Sequence, residues 1–311
     1  MSDEVDIRDG RRVGLPVHAE AGARRAFGMH SRVWQGNRYV YPVVSRRSKG
    51  ISIGVNLNPD KVCNFDCIYC SVDRRGGVGA AVGARDVDLS VLRVELERMV
   101  EVVRTGEIYR FDPFEGIPEG LRRVNDIAFS GDGEPTTCPQ FEGAVRVAAE
   151  VKDRAGMGGR GGVKLVLITN ATMFHRAGVR ETLAFMDEHE GEVWAKLDAG
   201  TAGYYEVVDR SGVGFERVLE NVGWCCRERA TVIQSLFMRV HGERPAGAEV
   251  GAYAGRLRGI VAGGGRIKLV QLYTVARGTT EAYATALSEG ELEEIARVVR
   301  REVDVPVEVY P

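Results

Sequence analysis

At 311 residues, 44% of them hydrophobic, the chain is long enough to bury a sizeable core in one large domain. Its net charge of −2 provides no global basic field for a nucleic acid, although a local patch stays open. The six cysteines do not form the dispersed, paired framework of a small secreted protein. No window approaches the ~18 consecutive apolar residues that cross a bilayer, and residues 1–10 are acidic and polar, unlike a signal peptide. These features predict a soluble cytoplasmic protein.

In chain order, residues 1 to about 35 are mixed and charged and read as a partly ordered extension. Residues 38–44 (RYVYPVV) have β-type composition, and Pro42 makes them an edge or lead-in strand. Residues 1–48 are therefore expected to form an N-terminal extension. From Ile51 onward short β-branched runs alternate with amphipathic stretches. The predicted strands are 51–57, 126–130, 163–169, 192–198, 231–240 and 266–275. The predicted helices are 89–103, 141–155, 173–189, 215–229 and 248–262. In the first helix Leu92, Leu96, Met99, Val100 and Val103 recur at helical spacing behind Asp88 and Ser90, either of which is a fair N-cap.

Such alternation argues for successive βαβ units and a parallel sheet. Six units are too few for a closed eight-stranded barrel. The expected fold is an α/β open (β/α)6 partial TIM barrel over 49–275. A C-terminal helix (289–301) and short strand (305–309) would pack on it from 276–311. Glycine-rich stretches at 76–83, 156–162 and 263–265 read as loops or turns.

The first run opens into Cys63-Asn64-Phe65-Asp66-Cys67-Ile68-Tyr69-Cys70. Three thiolates on so short a loop can grip three irons of a cubane [4Fe–4S] cluster, and no fourth cysteine follows at a suitable distance. Electron-transfer clusters close every corner with protein ligands, whereas an open position marks a site that binds substrate. Structural zinc is the competing reading, but neither His18 nor His30 has the local spacing of a fourth ligand. A non-enzymatic carrier or sensor, its cluster closed by another group of the protein, is a further alternative. Cys138, Cys225 and Cys226 are expected to pack in the core, and His175 to lie on a helix surface.

Ligands of parallel α/β folds sit at the carboxyl ends of the strands. There the second run delivers Ser130-Gly131-Asp132-Gly133-Glu134-Pro135-Thr136, and the third Thr169-Asn170. The fourth ends in Lys196-Leu197-Asp198, the fifth carries Gln234 and Arg239, and the sixth Gln271 and Tyr273. One shared site is predicted. Lys196 lies two residues before Asp198, so both side chains share a face of the strand.

CNFDCIYC resembles the cysteine signature of radical S-adenosylmethionine enzymes, and GDGEPTT resembles their glycine–glutamate–proline motif, with Asp132 standing where a glycine is common. The resemblance runs from about residue 51 to 275. It implies a [4Fe–4S] cluster on Cys63, Cys67 and Cys70, S-adenosylmethionine as second cofactor, and hydrogen abstraction by a 5′-deoxyadenosyl radical. It also implies an external one-electron reductant of flavodoxin or ferredoxin type. Tyr69 and Gln234 are expected to contact adenine, and Gly131 and Gly133 to let the ligand approach the backbone. Glu134, or exposed backbone groups, would hold the ammonium, with Asn170 and Asp198 on the ribose hydroxyls. Asn170 is equally placed to cap a helix starting near Thr172. Arg239 would pair with the cofactor's carboxylate or with an anionic substrate.

Lys196 and Tyr273 are the candidates for chemistry on the substrate. The lysine would form a Schiff base with a carbonyl, bind a carboxylate, or simply pair with a neighbouring acid. VWAKLDAGT, TNATMF and the stretch 268–275 are similar to stand-alone relatives of the wybutosine-pathway tRNA enzymes. The synthases of that group carry extra N-terminal cysteines for a second cluster, and none precedes Cys63 here. A small-molecule substrate and an RNA substrate both stay open. An RNA partner would need a basic rim from Arg46, Arg47, Lys49, Arg74 and Arg75, which otherwise form a solvated loop.

Overall fold

A computed structural model describes residues 34–74 and 86–311. The expectations for 1–33, for the 76–83 loop, and for His18, His30 and Arg75 lie outside these residues. Within them, six parallel strands carry the architecture: β2 (Gly50–Val55), β3 (Val124–Phe129), β4 (Lys164–Thr169), β5 (Gly191–Lys196), β6 (Thr231–Leu236) and β8 (Ile267–Tyr273). β1 (Val40–Ser45) adds antiparallel to β2 at one edge, Pro42 facing Ile53, and β10 (Val307–Tyr310) adds parallel to β8 at the other. The sheet order is β1-β2-β3-β4-β5-β6-β8-β10. The result is the curled, open half-barrel expected of repeated βαβ units.

Strand alternation explains the layering inside the arc. Ala128, Val166, Trp194 and Val232 form a small apolar cluster of their own, with Ile168 and Leu269 against it. The outward-facing residues, such as Ile127, Leu165, Val193, Ile233 and Val270, instead join the large core under the helices. Strands buried on both faces read as nearly continuous apolar runs, and β2 is buried throughout.

The helices are α1 (Leu89–Arg104), α2 (Phe141–Arg154), α3 (Ala177–Glu188), α4 (Ala202–Val208), α5 (Phe215–Glu228), α6 (Gly247–Ala262) and α7 (Glu289–Glu302). Asp88 is the N-cap of α1, accepting from the N–H groups of Ser90 and Val91, and the predicted stripe of Leu92, Leu96, Met99, Val100 and Val103 is buried. α7 starts in a capping box between Ser288 and Glu291. Cys138, Cys225 and Cys226 are buried, as core packing requires.

Three boundaries differ from the sequence pattern. The 173–189 helix begins only at Ala177, because Asn170 to Arg176 forms a turn in which His175 Nδ1 meets the Thr172 carbonyl at 3.0 Å. α4 is a single seven-residue piece, too short for periodicity to announce. The run 231–240 divides: Phe237 packs against Tyr253 of α6 (ring centroids 5.1 Å apart), and β7 (Met238–Val240) leaves the sheet to pair with β9 (Ala284–Ala286).

Glu95, buried on α1, accepts the backbone N–H groups of Arg38, Tyr39 and Val40 at 2.7, 2.9 and 3.1 Å. It thereby ties the start of β1 to the helix layer. Removing the carboxylate strands three donors, so Glu95→Ala is expected to cost about 3 kcal/mol. Urea unfolding would read that loss, and a change under ~0.5 kcal/mol would contradict the account.

Candidate functional site

The loops after β2, β3 and β4 meet at the carboxyl edge of the sheet around a cavity of about 310 Å³. Cys63, Cys67, Cys70, Tyr69, Gly131, Gly133, Glu134, Asn170, Lys196, Gln234 and Tyr273 all line it. Asp198 and Arg239 do not. Arg239 follows Phe237 out of the sheet, where it pairs with Glu291 at 2.5 Å and donates to the Gly242 carbonyl. It cannot serve a ligand in the cavity, and the sequence misplaced it by treating 231–240 as one strand.

The cysteine loop is held by its neighbours. Arg74 donates to Cys70 Sγ at 3.0 Å, to the Lys61 carbonyl at 3.0 Å and to the Asp132 carbonyl at 2.7 Å, joining the cysteine loop to the glycine-rich loop. Backbone N–H groups of Phe65 and Val72 point at Cys63 and Cys70 sulfurs (3.5 and 3.4 Å). Burial raises the Cys63 thiol's pKa, and burial followed by the nearby Asp209 carboxyl raises that of Cys67 further. Among the described residues no three His, Cys, Asp or Glu stand close enough to grip a single metal ion. A cubane offers its irons at separate corners, so its thiolates stand farther apart than the ligands of one ion. Three sulfurs lining one cavity, with N–H donors aimed at two of them, fit such a cluster.

Glu134 is buried, and its carboxylate accepts from Thr136 N and Oγ1 (3.1 and 2.5 Å), Thr169 Oγ1 (2.7 Å) and Asn170 N (2.7 Å). Burial raises its pKa and these bonds oppose the rise. These bonds tie the loop after β3 to the end of β4. Asn170 spends its amide likewise: Oδ1 accepts from Thr172 N and Oγ1, and Nδ2 donates to Asn64 Oδ1 at 2.8 Å, inside the cysteine loop. Asn170 thus closes a local turn at Thr172 and caps no helix, since α3 begins only at Ala177.

Gly131 and Gly133 line the cavity and are also required by the packing of one loop on another. A Cβ on Gly131 would meet Asn56 Oδ1 at 2.3 Å, and one on Gly133 would meet the Val62 carbonyl at 2.1 Å. Loop packs on loop there, with no room for a methyl. Asp132, whose orientation the sequence left open, accepts from Asn56 Nδ2 at 2.6 Å.

Behind the cavity wall Asp198 is buried, and both its oxygens accept hydrogen bonds. Oδ1 accepts the Leu236 N–H (2.7 Å), while Oδ2 accepts Tyr69 Oη (2.5 Å) and Lys196 Nζ (3.1 Å). Asp198, expected on the ribose, is bonded here to Leu236, Tyr69 and Lys196. Lys196 also donates to Tyr273 Oη at 2.7 Å. Burial by itself would lower the lysine's pKa, but Asp198 and then Tyr273 more than offset it and hold the pKa above the ordinary value. An ammonium held this way is suited to bind an anion. Burial and then Asp198 also push the Tyr69 phenol well up. Gln234 Nε2 donates to Gln271 Oε1 at 2.8 Å.

The sequence reading missed Tyr41, which reaches over from β1 to donate to the Ser130 carbonyl at 3.0 Å, and the cavity positions of Arg46, Arg47 and Arg277. The described residues of the run expected to make a basic rim have partners within the protein or face the cavity. Arg46 donates to the Pro311 carbonyl, Lys49 pairs with Glu308 at 3.3 Å, and Arg47 and Arg74 turn inward.

The profile of the Radical SAM superfamily matches residues 57–245, and the chain belongs to that family, whose members use a [4Fe–4S] cluster and S-adenosylmethionine. Among curated relatives, a UPF0026 protein of Helicobacter pylori is 26% identical over 184 residues, covering 58% of this chain and 49% of its own. A UPF0026 protein of Synechocystis is 26% identical over 187 residues, covering 59% and 57%. A protein named GTPase Obg from Brachyspira hyodysenteriae is 22% identical over 273 residues, covering 85% and 34%. The chain thus spans between about a third and three-fifths of the length of these relatives. Similar solved folds are TYW1 with a lysine-pyruvate adduct bound (TM-score 0.50, 15% identity, 90% of this chain and 80% of that one) and Streptococcus suis SuiB bound to S-adenosylmethionine (TM-score 0.52, 11% identity, 86% and 49%). No helix among the described residues is long and apolar enough to cross a membrane.

The loop-on-loop contact makes a direct test. Gly133→Ala forces the Val62 carbonyl away, and thermal unfolding is expected to show a loss of about 1–3 kcal/mol from overpacking. A melting temperature equal to the parent protein's would count against the contact.

Proposed function

We propose that this chain is an enzyme that cleaves S-adenosylmethionine reductively and directs the resulting radical at a bound substrate. The observation that carries the reading is the joining of the two signature loops at one cavity. Arg74 bonds Cys70 Sγ on one side and the Asp132 carbonyl on the other, in a chain of the radical SAM family. Cys63, Cys67 and Cys70 would hold three corners of the cluster, leaving the fourth for the cofactor. When bound, the cluster supplies one electron for cleavage of the sulfonium, and the 5′-deoxyadenosyl radical abstracts hydrogen from the substrate.

The chain's own groups have separate tasks. The exposed backbone around Gly131 to Gly133 would receive the cofactor's ammonium, since Glu134 is committed to Thr136, Thr169 and Asn170. Tyr69, its phenol locked on Asp198, offers a ring to the adenine side. Gln234 lines the same wall, fully buried. Lys196, charged and oriented by Asp198 and Tyr273, faces the substrate's side of the cavity. An external one-electron donor of flavodoxin or ferredoxin type would reduce the cluster.

Anaerobic reconstitution is expected to load about four irons per chain, from the cubane stoichiometry, and dithionite to release 5′-deoxyadenosine from S-adenosylmethionine. Cys67→Ala is expected to abolish both. Loaded protein that leaves the cofactor intact would overturn the proposal.

Arg74 yields a second outcome. Reduction adds negative charge to the cluster, and a guanidinium on a ligating sulfur favours the reduced form. Arg74→Met is therefore expected to lower the midpoint potential by on the order of tens of millivolts, followed by an EPR-monitored redox titration. A potential that stays put would remove the tuning role.

A further inference from the structure

The charge of the cavity wall is one-sided. Arg46, Arg47, Arg74, Lys196 and Arg277 line it, against the single carboxylate Glu134, which is already saturated by hydrogen bonds. Arg74 is spent on Cys70 and two carbonyls, and Arg46 on the Pro311 carbonyl. Arg47 differs. Its guanidinium lies over aromatic faces, 4.7 Å from the Tyr273 ring centroid and 6.0 Å from that of Trp194. Among the described residues no carboxylate lies within ion-pair distance of it.

Lys196 meets the same tyrosine, bonding its hydroxyl at 2.7 Å with the ammonium 5.2 Å from the ring centroid. Two cations therefore share Tyr273, and Asp198 offsets only one of them. Like charges so placed repel, and burial at the wall of a cavity strengthens the effect by excluding water. A pre-built pair of this kind is relieved by an anion. Aromatic faces beneath a guanidinium fix its plane while leaving its donor edge free for a two-point bond to an oxyanion.

A second feature of the same wall asks for a ligand. Gln234 neighbours Lys196 in register on β6 and is fully buried, yet its Oε1 has no hydrogen-bond partner among the described residues. Buried side-chain acceptors are nearly always satisfied. The vacancy calls for an N–H or O–H from a bound molecule.

We propose that the substrate is a small molecule bearing a carboxylate or phosphate, held by Arg47 and Lys196 beside Tyr273. This rests on the proposed function above, naming the substrate class of the same cavity. A small anion is favoured over a nucleic-acid strand because Arg47 and Lys196 line one cavity of about 310 Å³ around Tyr273, while Arg46 is bonded to the Pro311 carbonyl and Lys49 to Glu308.

The test uses the anaerobically reconstituted full chain with saturating S-adenosylmethionine, titrated by calorimetry with inorganic phosphate and separately with malonate. Saturable binding of either is expected, and the tighter one identifies the anion class. Trp194 emission should respond, because Arg47 lies over that ring. Arg47→Met is expected to weaken binding about 10–100-fold, the worth of a charge-assisted pair, and Arg47→Lys only a few-fold. Arg239→Met, outside the cavity, should bind like the parent. The proposal is overturned if neither anion binds, if Arg47→Met and Arg47→Lys bind as tightly as the parent, or if Arg47→Met weakens S-adenosylmethionine instead. It is equally overturned if the protein retains single-stranded RNA in an Arg47-dependent way while ignoring both anions. Release of 5′-deoxyadenosine, measured in parallel, reports on the underlying enzymatic reading independently of these results.

Discussion

A buried carboxylate with no ion pair among the described residues organises this molecule's functional edge. Glu134 has left water, and such a group is tolerable only when donors surround it. The protein supplies them from Thr136 on its own loop and from Thr169 and Asn170 at the end of β4. Those bonds fix the separation of two strand ends. Through Asn170 Nδ2 and Asn64 they extend into the cysteine loop, and Gly133 lets that loop lie directly on Val62. Loops that would otherwise be the most mobile parts of an α/β fold are thus stitched together at three points.

The opposite wall follows the same logic with charges paired. Asp198 gives one oxygen to the Leu236 backbone and the other to Tyr69 and Lys196, so a single side chain sets the positions of a phenol and an ammonium. Asp209, also buried, has its pKa pushed well up by burial and then by Asp198. Asp198 and Tyr273 fix the position of the Lys196 ammonium, which suits electrostatic binding. Function at this wall depends on contacts among residues far apart in the chain.

Both edges of the sheet also bear on the site. β1 sends Tyr41 across Gly54 to Ser130, and the turn after it carries Arg47 into the arc. On the other side β10 aligns Tyr310 with Tyr273. The segments that flank the six βα units therefore help to build the cavity wall, and they do so through the inward face of strands whose outward face is ordinary core.

Alternating runs of apolar and amphipathic residues were enough to place six parallel strands and the main helices within a few residues, since burial on two faces and burial on one leave different local periods. Residue spacing likewise put three thiols, a glycine-rich loop and the strand-end polar groups at one edge. What each of those groups does was decided by tertiary structure. Glu134, Asn170 and Asp198, read as ligands for a cofactor, are also bonded to the protein, through partners thirty or more residues away that local pattern does not show. Arg239 was lost to the site by a one-residue break at Phe237, and Arg47 was gained by a turn that points it inward. Periodicity records which face of an element is buried. Only the packed chain determines which buried polar groups already have a partner, and which still lack one.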